Sequence, residues 1–124
     1  MCIRDSSRFI LALKVALAEE GAAGTMIFDE IDRGVGGAVA SAIGERLARL
    51  AARTQLLVVT HSPQVAARGR RHLLIAKSHD GTVTRTDVTP LDEAERREEI
   101  ARMLSGAEIT DEARAQAERL LQAA

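Results

Sequence analysis

The chain of 124 residues has no Trp or Tyr and only two Phe, so it lacks the aromatic side chains on which many proteins stack single-stranded bases. A stacking-type binder of RNA or single-stranded DNA is therefore not expected. Its single cysteine, Cys2, excludes an internal disulfide, and no Cys or His cluster has the spacing of a zinc site. No apolar run approaches the roughly 18 residues of a membrane span. These absences predict a cytoplasmic protein with no membrane partner.

Charge and length restrict the function classes further. The formal net charge is −1 at pH 7, so no overall field marks the chain as a nucleic-acid or membrane binder. The length suits one compact unit and is short for an enzyme with a separate substrate domain. Residues 1–6, "MCIRDS", have neither a helical period nor a signal-peptide pattern, and we interpret them as a non-native leader before a domain at 7–124.

The spacing of apolar residues predicts an α/β fold. Continuous apolar runs predict buried strands at 25–29 and 55–60, and helical spacing between them predicts a helix at 36–53. A strand, a helix and a strand in this order predict a parallel pair joined by a right-handed crossover. Two strands at 71–77 and 82–88 are expected to flank a turn at Asp80-Gly81 and to extend the sheet. The other expected elements are helices: a buried one at 7–20, a short one at 63–67, and two more at 92–104 and 111–122.

Polar residues that could do chemistry follow both predicted parallel strands. Asp29 and Glu30 end the first strand, and His61 follows the second. Ligands of open parallel sheets bind at the carboxyl edge, so these three side chains are expected to converge on one crevice. Taken one at a time, a solvated strand end and a surface histidine are the more common explanations. The combination favours a site that holds a cation and a reacting molecule.

The segment "DRGVGG" from Asp32 to Gly37 is interpreted as a flexible turn that opens the second helix and presents Asp32 at its start. A GxGxxG dinucleotide loop would need glycine at position 39, where Val39 stands, so that interpretation is rejected. No GxxxxGK[ST] phosphate loop occurs either, because Lys14 and Lys77 are the only lysines and neither follows a glycine.

The order "MIFDEID", "GVGG" and "LLVVTHSPQVA" resembles the second half of an ABC-type ATPase head, and specifically the head of the bacterial RecN family, relatives of the SMC proteins. The tail "LDEAERREEIARMLSGAEITDEA" resembles the same family, and the likeness covers about residues 7–121. It implies the carboxyl-terminal lobe of a P-loop ATPase head, with parallel core strands, a terminal hairpin and flanking helices.

The resemblance also implies roles for four residues. Asp29 resembles the Walker B aspartate, which holds Mg²⁺ through water, and Glu30 resembles the carboxylate that polarises the attacking water during ATP hydrolysis. Asp32 resembles the D-loop aspartate at the seam of a head dimer, and His61 resembles the switch histidine that senses the γ-phosphate. No role is assigned to Arg33 or Gln64.

The chain departs from the family pattern at its beginning. "CIRDS" stands where the family has an "SGGEL"-type signature, and the Walker A loop and coiled coil are missing. The resemblance therefore implies, as partners, an amino-terminal Walker A lobe and coiled coil of the same protein, a second head, and DNA through the parent protein, in a nucleoid-associated location. The chain alone is expected to lack ATP turnover. Another SMC or ABC-type head, or a nonenzymatic module that keeps the fold, stays open as an alternative.

Overall fold

The computed structural model describes residues 24–123. The predicted leader 1–6 and the predicted helix 7–20 lie outside the described residues. The chain divides into two compact units, residues 1–68 and 69–124, so the expectation of one compact unit is wrong. The strands explain the difference, because they form two separate two-stranded sheets, β1 with β2 and β3 with β4, whose bounds are given below. The expected extension of the parallel pair by the hairpin is likewise wrong.

The first unit contains the predicted strand, helix and strand. Its elements are β1 (Thr25–Asp29), α1 (Gly37–Leu50), β2 (Gln55–Val59) and the four-residue helix α2 (Pro63–Ala66). β1 and β2 are parallel and in register from Thr25 opposite Gln55 to Asp29 opposite Val59. The parallel pairing predicted from the apolar runs is confirmed, and α1 is three residues shorter at its carboxyl end than expected.

The side chains of β1 and β2 alternate between two faces, as they do in any strand. One face packs on α1 around Phe28, whose exposed fraction is 0%. The core on this face also includes other apolar residues from the loops and helices: Ile31, Ala40, Ile43, Leu47, Leu50 and Val65. On the opposite face, Ile27, Leu57 and Val59 are exposed. The buried face fixes the register, because a slip by one residue would move Phe28 out of the core.

A glycine lets α1 approach the start of α2 closely. A Cβ atom added to Gly44 would lie 3.0 Å from Cγ of Arg68 and 3.2 Å from the backbone oxygen of Gln64. A side chain at this position would therefore crowd the backbone of Gln64 in α2. The loop between β2 and α2 is therefore held at both ends, by the sheet and by this close packing.

The second unit consists of a hairpin and a helix pair. The hairpin strands are β3 (Leu73–Asp80) and β4 (Val83–Pro90), which pair from Leu73 opposite Pro90 to Asp80 opposite Val83. The connecting loop is Gly81-Thr82, one residue later than the predicted turn, and Gly81 supplies the left-handed backbone with φ +64°. Compared with the prediction, β3 begins two residues later and ends three residues later, and β4 begins one residue later and ends two residues later.

Helices α3 (Glu93–Ser105) and α4 (Asp111–Gln122) follow the hairpin. A capping box begins α3: the Asp92 carboxylate accepts from the backbone N–H of Glu95, and the Glu95 carboxylate accepts from the backbone N–H of Asp92. Gly106, with φ +78°, ends this helix, and the hydroxyl of Thr110 caps α4. Within residues 24–123, no helix is long and apolar enough to cross a membrane.

Candidate functional site at the carboxyl edge of the parallel strands

The parallel register places the loops after β1 and β2 beside each other. The backbone N–H of Glu30 donates to the backbone oxygen of Val59 at 2.8 Å, so the pairing continues one residue beyond β1. The two loops enclose a pocket of about 230 Å³. It is lined by residues from both loops: Glu30, Asp32, Arg33, Gly34, Val35, His61 and Ser62.

A carboxylate and an imidazole meet across this pocket. Nε2 of His61 lies 2.8 Å from Oε1 of Glu30, and NH1 of Arg33 lies 3.8 Å from Oε2 of the same carboxylate. The His61 side chain is 90% exposed and that of Glu30 is 31% exposed. Ion pairs this accessible to solvent contribute little to stability. The pair therefore has no evident stabilising purpose, whereas a carboxylate beside an imidazole can orient water and handle a proton.

The backbone at Glu30 is in an uncommon conformation. Its φ is +52°, and it is the sole non-glycine residue with positive φ among residues 24–123. A left-handed backbone at such a residue costs on the order of 1–3 kcal/mol, and such strain clusters at functional sites. Here it turns the chain sharply after Asp29 and directs the Glu30 side chain toward His61.

Asp32 lines the pocket and is buried. Its exposed fraction is 7%, and its Oδ2 accepts a hydrogen bond from the hydroxyl of Thr60. Its backbone oxygen accepts from the N–H of Val35 at 3.4 Å, which closes the turn. The fold thus uses Asp32 to join the two loops.

Asp29 stands apart from the other predicted residues. It is exposed at the last position of β1 and is not among the residues that line the pocket. Glu30 and His61 therefore meet at one pocket, whereas Asp29 ends β1 at the same edge with its side chain on the face opposite Phe28. No group of three or more His, Cys, Asp or Glu side chains within 24–123 is placed to hold a metal ion.

Sequence reasoning missed the hydroxyl groups that organise the second loop. Thr60 and Ser62 flank His61, and the Ser62 hydroxyl accepts from the backbone N–H of Val65 at 3.4 Å, which caps α2. The signal was available in "THSP", because Ser before Pro at a helix start is a common capping arrangement. Gln64, which had no assigned role, accepts from the Ser62 hydroxyl at 2.9 Å.

Comparison with curated proteins gives the family context of this geometry. The chain is 52% identical over 120 residues to the DNA repair protein RecN of Streptomyces coelicolor, a match that covers 97% of this chain. It is 50% identical over 120 residues to RecN of Mycobacterium leprae and 47% identical over 117 residues to RecN of Rickettsia felis. The chain matches the carboxyl-terminal part of RecN. It spans about a fifth of the length of these RecN proteins. No family model matches.

Solved structures give the same fold at lower sequence identity. A structure from work on ATP-driven dimerization and DNA-stimulated activation of SMC ATPases has a TM-score of 0.65 and 18% identity, and the match covers 87% of this chain and 65% of that one. The Smc head domain of Pyrococcus yayanosii also has a TM-score of 0.65, with 21% identity over 81% of this chain and 19% of that one. The RecN-like chain therefore has the α/β fold of SMC ATPase heads.

Proposed function

We propose that this chain is the carboxyl-terminal lobe of a RecN-like ATPase head that acts in the repair of DNA double-strand breaks. One observation carries the proposal: the Glu30 carboxylate and the His61 imidazole meet at 2.8 Å at the carboxyl edge of two parallel strands. The 52% identity to a RecN protein supports the family role. In this proposal Glu30 is the catalytic carboxylate and His61 is the switch histidine.

Glu30 would act on the water that attacks the γ-phosphate. Its Oε1 lies beside His61 and its Oε2 lies 3.8 Å from Arg33, so the carboxylate is oriented by two neighbours and still faces the pocket. A carboxylate held in this way can orient a water molecule and polarise it, which is how phosphoryl transfer is accelerated by positioning. His61, exposed at the mouth of the pocket, would contact the γ-phosphate.

ATP and Mg²⁺ are the ligands proposed for this edge of the sheet. Magnesium keeps several waters and is usually held by one or two carboxylates together with substrate phosphates. Asp29, a single exposed carboxylate at the end of β1, is suited to hold such an ion through water. When bound, the ion would neutralise charge on the phosphates.

The remaining parts of the proposed head come from outside this chain. An amino-terminal lobe of the same protein would supply the Walker A loop and lead into the coiled coil, and a second head would meet the D-loop residue Asp32. The structure from work on ATP-driven dimerization and DNA-stimulated activation of SMC ATPases supports a homodimer of heads and DNA as a partner of the parent protein. A cytoplasmic, nucleoid-associated location follows from this role.

The test is Glu30→Gln in the complete head, in which this chain is joined to its amino-terminal lobe. The amide keeps the size of the side chain but removes the charge that polarises water. We expect single-turnover hydrolysis to slow by about 10²- to 10⁴-fold while ATP binding is retained. Glu93→Gln, an exposed carboxylate in the first turn of α3, is the matched control and should hydrolyse ATP normally. Normal hydrolysis by Glu30→Gln would refute the proposal.

A further inference from the structure

The hydroxyl group of Thr60 joins the two loops of the pocket. It donates to the Asp32 carboxylate and accepts from the backbone N–H of Ser62 at 2.9 Å. A threonine hydroxyl has one donor and two acceptor lone pairs, so this residue uses its donor on one loop and an acceptor on the other. Such an arrangement restricts the relative movement of the loops that carry Glu30 and His61.

The Asp32 end of this connection is buried. Asp32 is 7% exposed, and a buried carboxylate is costly unless it is hydrogen-bonded. The bond from Thr60 reduces this cost and holds the turn that begins at Glu30, in which the N–H of Arg33 donates to the backbone oxygen of Glu30 at 3.2 Å. A displacement of Asp32 would therefore shift the backbone on which Glu30 stands.

The other end of the connection leads into helix α2. Ser62, whose N–H is bound by Thr60, donates its own hydroxyl to Oε1 of Gln64 and caps α2 by accepting from Val65. His61 lies between Thr60 and Ser62, so its backbone is fixed on both sides. Its ring, by contrast, is 90% exposed and lies against Glu30.

We propose that Thr60 is a positioning residue for ATP hydrolysis: its hydroxyl holds the two loops in the arrangement that keeps Glu30 and His61 together. This inference rests on the proposed function. Thr60 itself does not line the pocket, so it acts through the residues on either side of it and does not touch the nucleotide.

The first experiment measures the connection in the 124-residue chain itself. Amide hydrogen exchange at Ser62 should accelerate in Thr60→Val and in Thr60→Ala, which both lack the hydroxyl, and should return to the wild-type rate in Thr60→Ser. Thr54→Val is the matched control, because Thr54 is also buried in the first unit, at 8% exposure, and lies before β2. Unchanged exchange at Ser62 in both hydroxyl-deleted variants would overturn the inference.

The second experiment measures hydrolysis in the complete head. Because a displacement of about 1 Å can reduce a rate by about 10²-fold, we expect Thr60→Val to lower kcat by about 10- to 100-fold with little change in KM. Thr60→Ser should restore kcat, which a loss of stability alone would not explain, and Thr60→Val should add little to Glu30→Gln because both act on one step.

The two proposals fail in different ways. Wild-type kcat in Thr60→Val, alongside slow hydrolysis by Glu30→Gln, would overturn the role of Thr60 and leave the proposed function intact. Failure of Thr60→Ser to restore kcat would also overturn it. Normal hydrolysis by Glu30→Gln would remove the proposed function and the role of Thr60 with it.

Discussion

The two units of the chain use the same kinds of charged side chain in different ways. In the first unit, the bonds from His61 to Glu30 and from Thr60 to Asp32 join residues about 30 positions apart and meet at one pocket. In the second unit, Arg102 pairs with Glu99 and Arg114 pairs with Asp111, each three positions away on its own helix.

The local pairs of the second unit have a structural explanation that the pair at the pocket lacks. The hydrogen bond that Arg114 donates to Glu98, 16 positions away on α3, raises the pKa of Arg114, and the one that Arg102 donates to Glu99, three positions away, raises the pKa of Arg102. Pairs at this spacing stabilise a helix by about 0.2–0.5 kcal/mol. The bonds of the first unit instead fix the relative position of two loops. Sequence separation alone does not identify a site, because Arg114 also pairs with Glu98, 16 positions away on α3. The pair at the pocket differs in that it joins two loops at one edge of a sheet.

The largest expected effect on stability tests the core beneath the site. Phe28→Ala removes a fully buried ring between the sheet and α1, and such a change costs about 3–5 kcal/mol. Urea unfolding followed by far-UV circular dichroism, with amide exchange resolved by residue, would measure the loss in the first unit. The exchange data are needed because a chain with two compact units need not unfold in a single transition.

The matched control is Val83→Ala in the second unit. Val83 is 61% exposed on the hairpin, so its truncation should change stability by less than about 0.5 kcal/mol. Equal losses for the two variants would mean that the β1–β2 face is no better packed than the exposed hairpin.

The next effect is on the rate of ATP hydrolysis and compares His61 at the pocket with His79 on the exposed hairpin. His61→Ala in the complete head should leave ATP binding largely intact and lower the chemical rate by about 10²- to 10³-fold, the effect of losing one group that stabilises transition-state charge. His79→Ala is the control, because Nδ1 of His79 lies 3.0 Å from the Thr84 hydroxyl on the exposed hairpin. If His61→Ala and His79→Ala hydrolysed ATP at similar rates, the histidine at the pocket would have no special role in hydrolysis.

Much of the fold could be predicted because its signals are local. The apolar runs of β1 and β2, the cap at Thr110 and the helix stop at Gly106 each act within a few residues. The division into two units could not be predicted, because it depends on which strands pair across the chain. The same limit applies to the hairpin. It was expected to extend the parallel sheet, but β3 and β4 form a sheet of their own.

The sequence predicted which residues meet at the site but not the path of the turn that follows β1. Two strand ends at one edge indicated that Glu30 and His61 would meet, since parallel strands share a carboxyl edge. The burial of Asp32 and its bond to Thr60 depend on a turn whose path required the left-handed backbone at Glu30. A left-handed glutamate has no reliable sequence signal, so the burial of Asp32 and its bond to Thr60 were not predicted.

A smaller effect is expected from the helix caps, which also differ between the units. Asp92→Ala removes the side-chain half of the capping box and should destabilise α3 by about 1 kcal/mol. At α1 the cap residue is Gly36, which makes no side-chain cap bond, has an ordinary φ of −75° and has open space around an added Cβ. Gly36→Ser should therefore stabilise α1 by a few tenths of a kcal/mol at most. Urea unfolding of both variants measures the contrast, and equal destabilisation by both would contradict it.

The smallest expected effect is a pH dependence of the second unit that comes from His72. Burial lowers the pKa of His72, the nearby positive charge of Arg96 lowers it further, and Glu99 opposes both. Nδ1 of His72 is buried and has no hydrogen-bond partner among residues 24–123, so the charged form gains no bond there.

The sign of this effect follows from proton binding. As the pH falls below the ordinary histidine pKa of 6.5, the unfolded chain takes up a proton at His72 before the folded chain does. The unfolded state therefore binds more protons, and the free energy of unfolding decreases on acidification until the folded pKa is passed. We expect His72→Gln to weaken this decrease between pH 7.5 and pH 5.5 in urea unfolding, whereas His79→Gln, a change at an exposed histidine of the same unit, should keep it. Identical pH dependence for the wild type and His72→Gln would show that the burial of His72 has no effect on stability in this pH range.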